Sequence, residues 1–276
     1  MAAGLLRTVN ATTFKALPRP TYSTEAQSGT RLRNGHAIRA FNLALADWVR
    51  EASRQRQFAL VVGGDCSILL GALAGARETG PLSLIHIDGH SDFRHPGNYD
   101  SELLLGAVAG MDLALATGRG ESLLTEWPGV TGPLVAEGHV VQLGERENRD
   151  EDFSWLDVND TSITRIDVFE ALQSGPGAVL ERIRHSLDQN PDQGYWIHLD
   201  LDVLDQSVMP AVDCPGSPGI PPADLIRVIA PLVADARCRG MTLAAFDPDL
   251  DRDGKCASTV VEMLRQLPFP GMIPLR

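Results

Sequence analysis

Short, largely apolar runs recur along the chain at residues 58–62, 83–87, 139–143, 195–201 and 242–246, and each has the length and β-branched character of a buried strand. Longer segments with apolar residues at three- and four-residue spacing lie between them, at 34–54, 68–77, 178–187 and 221–236. Strand and helix therefore alternate. Because parallel strands need a crossover and bury both faces, the pattern predicts a three-layer α/β/α domain with a central parallel sheet. No repeat, low-complexity stretch or Gly/Ser linker divides the chain, so residues 1–276 are expected to form one domain. Two segments break the alternation. Residues 206–222 are rich in Pro and Gly and read as a long loop, and residues 145–160 are mostly charged and read as a solvated surface loop.

Composition narrows the class. Hydrophobic residues make up 43% and charged residues 22%, which excludes disorder, collagen and coiled coil. With 24 basic against 36 acidic side chains the formal charge is −12, which disfavours nucleic acid and anionic membrane as partners and favours a cation. The N-terminal apolar run before Arg7 is too short for a signal peptide, and no run approaches the ~18 apolar residues of a membrane span. A cytoplasmic location is expected. Cys66, Cys214, Cys238 and Cys256 are scattered and form no CxxC pair, so no disulfide framework is expected.

Candidate chemistry lies at the strand exits, where open α/β sheets bind ligands. One exit carries Gly63-Gly64-Asp65-Cys66-Ser67, a second Asp88-Gly89-His90-Ser91-Asp92, and a third Asp200-Leu201-Asp202. In extended backbone, residues i, i+2 and i+4 share a face, which would gather Asp88, His90 and Asp92 on one strand and Asp200 and Asp202 on another. Four carboxylates brought together without compensation repel and are costly to bury, so bound divalent cations are the simplest explanation. Imidazole among carboxylates suits Mn²⁺, Zn²⁺ or Fe²⁺. Asp65 has two readings: it joins the site, or it bonds neighbouring backbone amides. His86 and His198, two residues before a motif on its own strand, read as satisfied core histidines, with support of the ligands as the alternative.

GGDCS, IDGHSD and HLDLDVLD, in this order and spacing, resemble the ureohydrolase superfamily of arginases, agmatinases and formimidoylglutamases, over residues 33–253. The resemblance implies a three-layer α/β/α fold and hydrolysis of a guanidino or amidino C–N bond in a small cationic substrate. It implies a centre of two Mn²⁺, with a metal-bridging hydroxide as nucleophile. One ion is expected to take Cys66, Asp88, Asp92 and Asp200, and the other Asp88, His90, Asp200 and Asp202, with Asp92 also orienting the nucleophile. A homo-oligomer is also expected.

Departures from the family pattern weigh on that reading. Cys66 stands where the family has histidine; as a thiolate it would favour Zn²⁺ or Fe²⁺, and otherwise it is an inert buried thiol. Leu105 aligns with the family's proton-shuttling histidine, leaving Glu102 as a substitute acid/base or simply a solvated loop glutamate. Ala245 replaces the glutamate that grips the guanidinium, which argues against arginine as substrate, and Asp205-Gln206 replaces Asp-Pro. The family's N-terminal strand is expected to be shortened or absent. These losses leave a second reading, a catalytically degenerate binding or regulatory protein on the same fold.

Overall fold

The computed structural model describes residues 2–98, 106–147 and 156–270. Six strands form one sheet: β1 (Ala59–Val62), β2 (Leu82–Ile87), β3 (Val140–Leu143), β4 (Thr164–Ile166), β5 (Gly194–Asp200) and β6 (Cys238–Ala244). Their spatial order is β1-β6-β5-β2-β3-β4, and every pairing is parallel. Eight helices accompany them among the described residues: α1 (Ala2–Thr8), α2 (Gly35–Arg54), α3 (Ile68–Ala76), α4 (Asp112–Ala116), α5 (Ser122–Thr125), α6 (Val168–Leu187), α7 (Pro222–Val233) and α8 (Lys255–Arg265). None is long and apolar enough to cross a membrane.

Strand alternation sorts the core into two halves. Ile85, Ile87, Ile197 and Leu199 face the layer of α6, α7 and α8, whereas Leu84, Trp196 and Ala244 face α2, α3 and α4. On that second face, Leu84 is followed two residues on by His86 and then Asp88, and Trp196 by His198 and then Asp200. The register pairs His86 with His198 and Ile87 with Leu199, so the two polar rows run side by side. From β2 the chain moves on to β3, and from β5 to β6 on the opposite side, so the crevice between β2 and β5 is the topological switch point of the sheet.

Helix α3 is buried along its whole length, as its uniformly apolar sequence requires. It approaches α2 closely because Gly71 has no side chain. Its amide donates to Asn42 Oδ1 at 2.8 Å, and a Cβ there would lie 2.6 Å from the Asn42 carbonyl oxygen. Gly71→Ala is expected to lower stability by about 1–3 kcal/mol through overpacking. Thermal denaturation checks this; an unchanged melting temperature would contradict the close packing.

Several boundaries differ from the pattern in the sequence. Strand β4 is too short and half-polar to stand out, and α6 begins ten residues before the predicted 178 because Gly175, in a left-handed-region φ of 77°, and Pro176 interrupt its periodicity. Asp167 caps that earlier start, accepting from the Glu170 amide at 2.7 Å. The segment 145–160 is not uniformly solvated: Glu145 is 1% exposed and pairs with Arg165. Among the described residues no strand precedes β1, and Leu32 makes only an isolated parallel bridge with Gly106.

Candidate metal centre

Asp88 immediately follows β2 and Asp200 ends β5, so the register of two adjacent central strands sets these buried carboxylates side by side. Extended alternation does not place the other ligand candidates. After Ile87 the chain leaves the strand, and Asp92 has a φ of 47°, a left-handed turn that an L-residue adopts at a cost. Asp202 lies in a tight 3-10 turn, Leu201–Val203, whose start is fixed by the Asp202 amide donating to Asp200 Oδ1 at 2.7 Å. Turns, and not a shared strand face, complete the cluster.

His90 joins the two motifs. Its Nδ1 lies 2.8 Å from Asp202 Oδ2 and 3.5 Å from Asp88 Oδ1, while the Gly89 amide donates to Asp202 Oδ1 at 2.9 Å. Burial disfavours the imidazolium, but the bonds to Asp202 and Asp88 prevail and push its pKa up to about 12. On the other side of Asp200, the Cys66 thiol donates to Oδ2 at 2.6 Å. Cys66 is buried, and burial followed by the negative charge of Asp200 raises its pKa far above the usual thiol value.

Three of the carboxylates show the strain of crowding, whereas Asp202 is held below the usual range because burial is outweighed by its bond to His90. Asp88 is raised to about 6, by burial and then by Asp202. Asp92 is raised further by burial and by Asp88 and Asp112, and Asp200 by burial, Asp202 and Asp88. Asp88 Oδ2 is buried with no hydrogen-bond partner. Carboxylate oxygens, an imidazole and a thiol with an unsatisfied oxygen among them match the donor chemistry of divalent transition ions. Among the described residues, four donor sets are compact enough, and two of them span the strand-exit motifs: Cys66, Asp88, His198 and Asp200, and Asp88, His90 and Asp202, the atoms within each lying within 4.8 Å of one another. Asp92 forms a further such set with His86 and Asp88.

Asp65 stands apart from this cluster. Its Oδ1 accepts from the Ser67 amide at 3.0 Å and from the Ser67 hydroxyl, an Asx turn at the entry to α3. Asp247 does the same for the Asp249 amide at 2.8 Å. Ala245, at a φ of 68°, donates its amide to the Gly64 carbonyl at 3.0 Å and presents no carboxylate. Glu102 and Leu105 lie outside the described residues.

Two important residues escaped the motif reading. Arg146, after β3, donates through Nε to the Pro218 carbonyl at 3.1 Å and through Nη2 to the Asp202 carbonyl, and its amide donates to the Gly89 carbonyl at 2.9 Å. It thereby ties both ligand turns to the 206–222 loop. Asp112, the first residue of α4, is completely buried beside His86 and His198. A lone acid in the apolar stretch Gly110-Met111-Asp112-Leu113-Ala114 was the available signal. The expectation that His86 and His198 are satisfied core residues is corrected: both are fully buried, but His86 Nδ1 and His198 Nε2 have no hydrogen-bond partner.

A parallel α/β sheet with carboxylates, imidazole and thiol gathered at its switch point defines a protein built around a metal-type centre. The chain belongs to the arginase family, whose family model matches residues 19–268. It is 31% identical over 245 residues to an arginase of Bacillus caldovelox, covering 87% of this chain and 78% of that protein. To a formimidoylglutamase of Klebsiella pneumoniae it is 25% identical, covering 87% and 70%. The native crystal structure of the B. caldovelox arginase superposes with a TM-score of 0.83 at 26% identity, covering 99% of this chain and 91% of that one.

Proposed function

We propose that the protein is a metal-dependent hydrolase of a guanidino or amidino C–N bond in a small cationic molecule other than arginine. The observation that carries this reading is the cluster of buried Asp88, Asp200 and Asp202 with partly buried His90 at the β2/β5 switch point, in a chain whose relatives include both arginases and formimidoylglutamases. Asp88, Asp200 and Cys66, with Asp92, would hold one ion and Asp88, His90, Asp200 and Asp202 the other. Divalent ions there would supply Lewis acidity and a water acidic enough to react near neutral pH.

The remaining chemistry belongs to the chain's own groups. Asp92, brought beside Asp88 by its left-handed turn, would orient the attacking water. Arg146 keeps the Asp202 turn and the Gly89 turn in register, so that the ligand oxygens are fixed before substrate arrives. At the outer edge, Glu147 lies with Oε1 3.5 Å from His90 Nε2, and both Glu147 and Asp213 have their carboxyls raised mainly by partial burial. This acidic rim favours a planar cation over an anion. Because Ala245 supplies no carboxylate to pair with a guanidinium, specificity is expected to differ from that of an arginase.

Metal-reconstituted protein assayed for urea or ammonia release across a panel of guanidino and amidino compounds tests the reading. Turnover of at least one compound, with arginine a poor substrate, is expected. Full metal occupancy without turnover of any member would instead favour the degenerate binding protein, the reading to which the absence of a carboxylate at Ala245 points.

Cys66 makes a separate prediction. A thiolate selects zinc or iron over manganese, so Cys66→His is expected to raise the manganese-to-zinc ratio bound at equal supply several-fold. Elemental analysis after dialysis reads the ratio. Wild-type protein that already retains two manganese ions per chain against zinc would contradict it.

A further inference from the structure

One pleat inward from Asp88 and Asp200, on the same sheet face, lie His86 and His198, with Asp112 of α4 packed over them. All three side chains are completely inaccessible to solvent. The imidazoles are cross-strand partners, stacked with ring centroids 5.1 Å apart and planes inclined by 24°. Their Nε2 atoms address the two oxygens of one carboxylate: His86 Nε2 is 3.4 Å from Asp112 Oδ1, and His198 Nε2 is 3.7 Å from Asp112 Oδ2.

These contacts are long for N–H···O hydrogen bonds, which cluster near about 2.9 Å. One ligand atom from each of the three side chains lies within 4.8 Å of the others, and the His86–Asp112 separation falls in the roughly 3.3–3.6 Å that ligands about 2.0–2.2 Å from a tetrahedral zinc keep from one another, with the His198–Asp112 separation just beyond it. Hydrogen bonding is correspondingly incomplete, for Asp112 Oδ2 and His198 Nε2 are both buried without a partner. Leaving such groups unsatisfied is costly. The far nitrogen of His198 is already committed, with Nδ1 2.7 Å from Thr242 Oγ1, which fixes the ring so that Nε2 faces Asp112. An outer hydrogen bond of this kind is what orients metal-bound imidazoles.

We propose that His86, His198 and Asp112 hold a divalent transition-metal ion, specifically Zn²⁺, at a second site distinct from the carboxylate-rich centre at the strand exits. Two imidazoles and one carboxylate form a donor set suited to zinc and poorly suited to Mg²⁺ or Ca²⁺. Asp88 borders both sites, its Oδ2 lying 3.9 Å from His86 Nε2. The inner ion thus sits against the outer centre and stabilises the carboxylates above it. The assignment stands whether or not the outer centre hydrolyses guanidino compounds.

X-ray absorption at the zinc edge on full-length His90→Asn protein, loaded with less than one equivalent of Zn²⁺ so that only the tightest site fills, tests this directly. His90 is the imidazole proper to the outer centre, so its removal leaves any remaining imidazole signal to the inner residues. Two imidazoles per zinc with no sulfur scatterer are expected. Zinc with sulfur and at most one imidazole would show His198 serving the Cys66 set instead, and zinc with oxygen alone would show no histidine site; either overturns the proposal. In a second measurement, His198→Asn protein with wild-type circular dichroism is expected to bind one Zn²⁺ fewer per chain at equilibrium dialysis, and equal stoichiometry would overturn it. Guanidino turnover in either variant reads the outer centre as well and does not decide this assignment; zinc ligation and stoichiometry do.

Discussion

Replacing Asp200 by asparagine is expected to weaken metal binding by more than the roughly 10–100-fold that loss of an outer-sphere partner costs, and to abolish turnover with it. Asparagine preserves the volume and leaves an oxygen to accept from the Asp202 amide, now 2.7 Å away, so the turn after β5 should survive. What disappears is the charge shared by both proposed ligand sets. Asp200 is buried, and its pKa is raised well above the carboxylate range by burial, then by Asp202 and Asp88. The same substitution therefore relieves repulsion when no cation is present. In chelator, Asp200→Asn protein should melt at or above the wild-type temperature, while in excess metal it should fail to gain the stabilisation that wild type gains. Unchanged metal content and turnover would remove Asp200 from the site.

The second large effect concerns pH. Metal-free protein is expected to lose stability as pH rises from about 6.5 to 9, because the folded state there holds protons that the unfolded chain has released. In the unfolded chain carboxyls titrate near about 4 and imidazoles near about 6.5. In the fold, burial carries Asp112 up to about 7, Asp92 and Asp200 are raised by burial and neighbouring carboxylates, and His90 reaches about 12 because its bonds to Asp202 and Asp88 outweigh burial. Each raised group contributes stability that is full below its unfolded pKa and is lost as pH climbs through its folded one. Below about pH 6.5 the trend is mixed. His86 and His198 are lowered by burial, His198 to about 3, so they stay neutral in the fold and remove stability as pH falls, opposing Asp88 and its neighbours. Every extra proton held by the fold adds about 1.4 kcal/mol per pH unit to the slope. Bound cations take the place of those protons, so saturating metal should flatten or reverse the trend. Thermal melts in chelator and in excess metal across this window check it, and rising metal-free stability would contradict it.

Much of this was legible in the chain because strands buried on both faces read as near-continuous apolar runs. Runs ending in Asp88 and Asp200 announced both the central strands and the residues that leave them. The motif order carried the family resemblance, and the family match over residues 19–268 agrees with it. Local backbone geometry was less visible. Strand-face alternation was the wrong reason for grouping Asp92 and Asp202, which arrive through a left-handed residue and a 3-10 turn. Asp112 was hidden because it comes from a different element, and only the packing of α4 over the β2/β5 pair brings it to His86 and His198. The same holds for Arg146, whose three contacts reach loops distant in sequence. A residue whose role depends on long-range packing leaves a trace in its own neighbourhood only as an anomaly, such as one acid among apolar residues.

Cations are expected to sit between the ends of β2 and β5. Anomalous diffraction from crystals of the full-length protein grown with Zn²⁺ or Mn²⁺ locates them without recourse to activity. A strong peak is expected within about 2.5 Å of carboxylate oxygens of both Asp88 and Asp200. Peaks confined to surface carboxylates, with none between those two side chains, would contradict it.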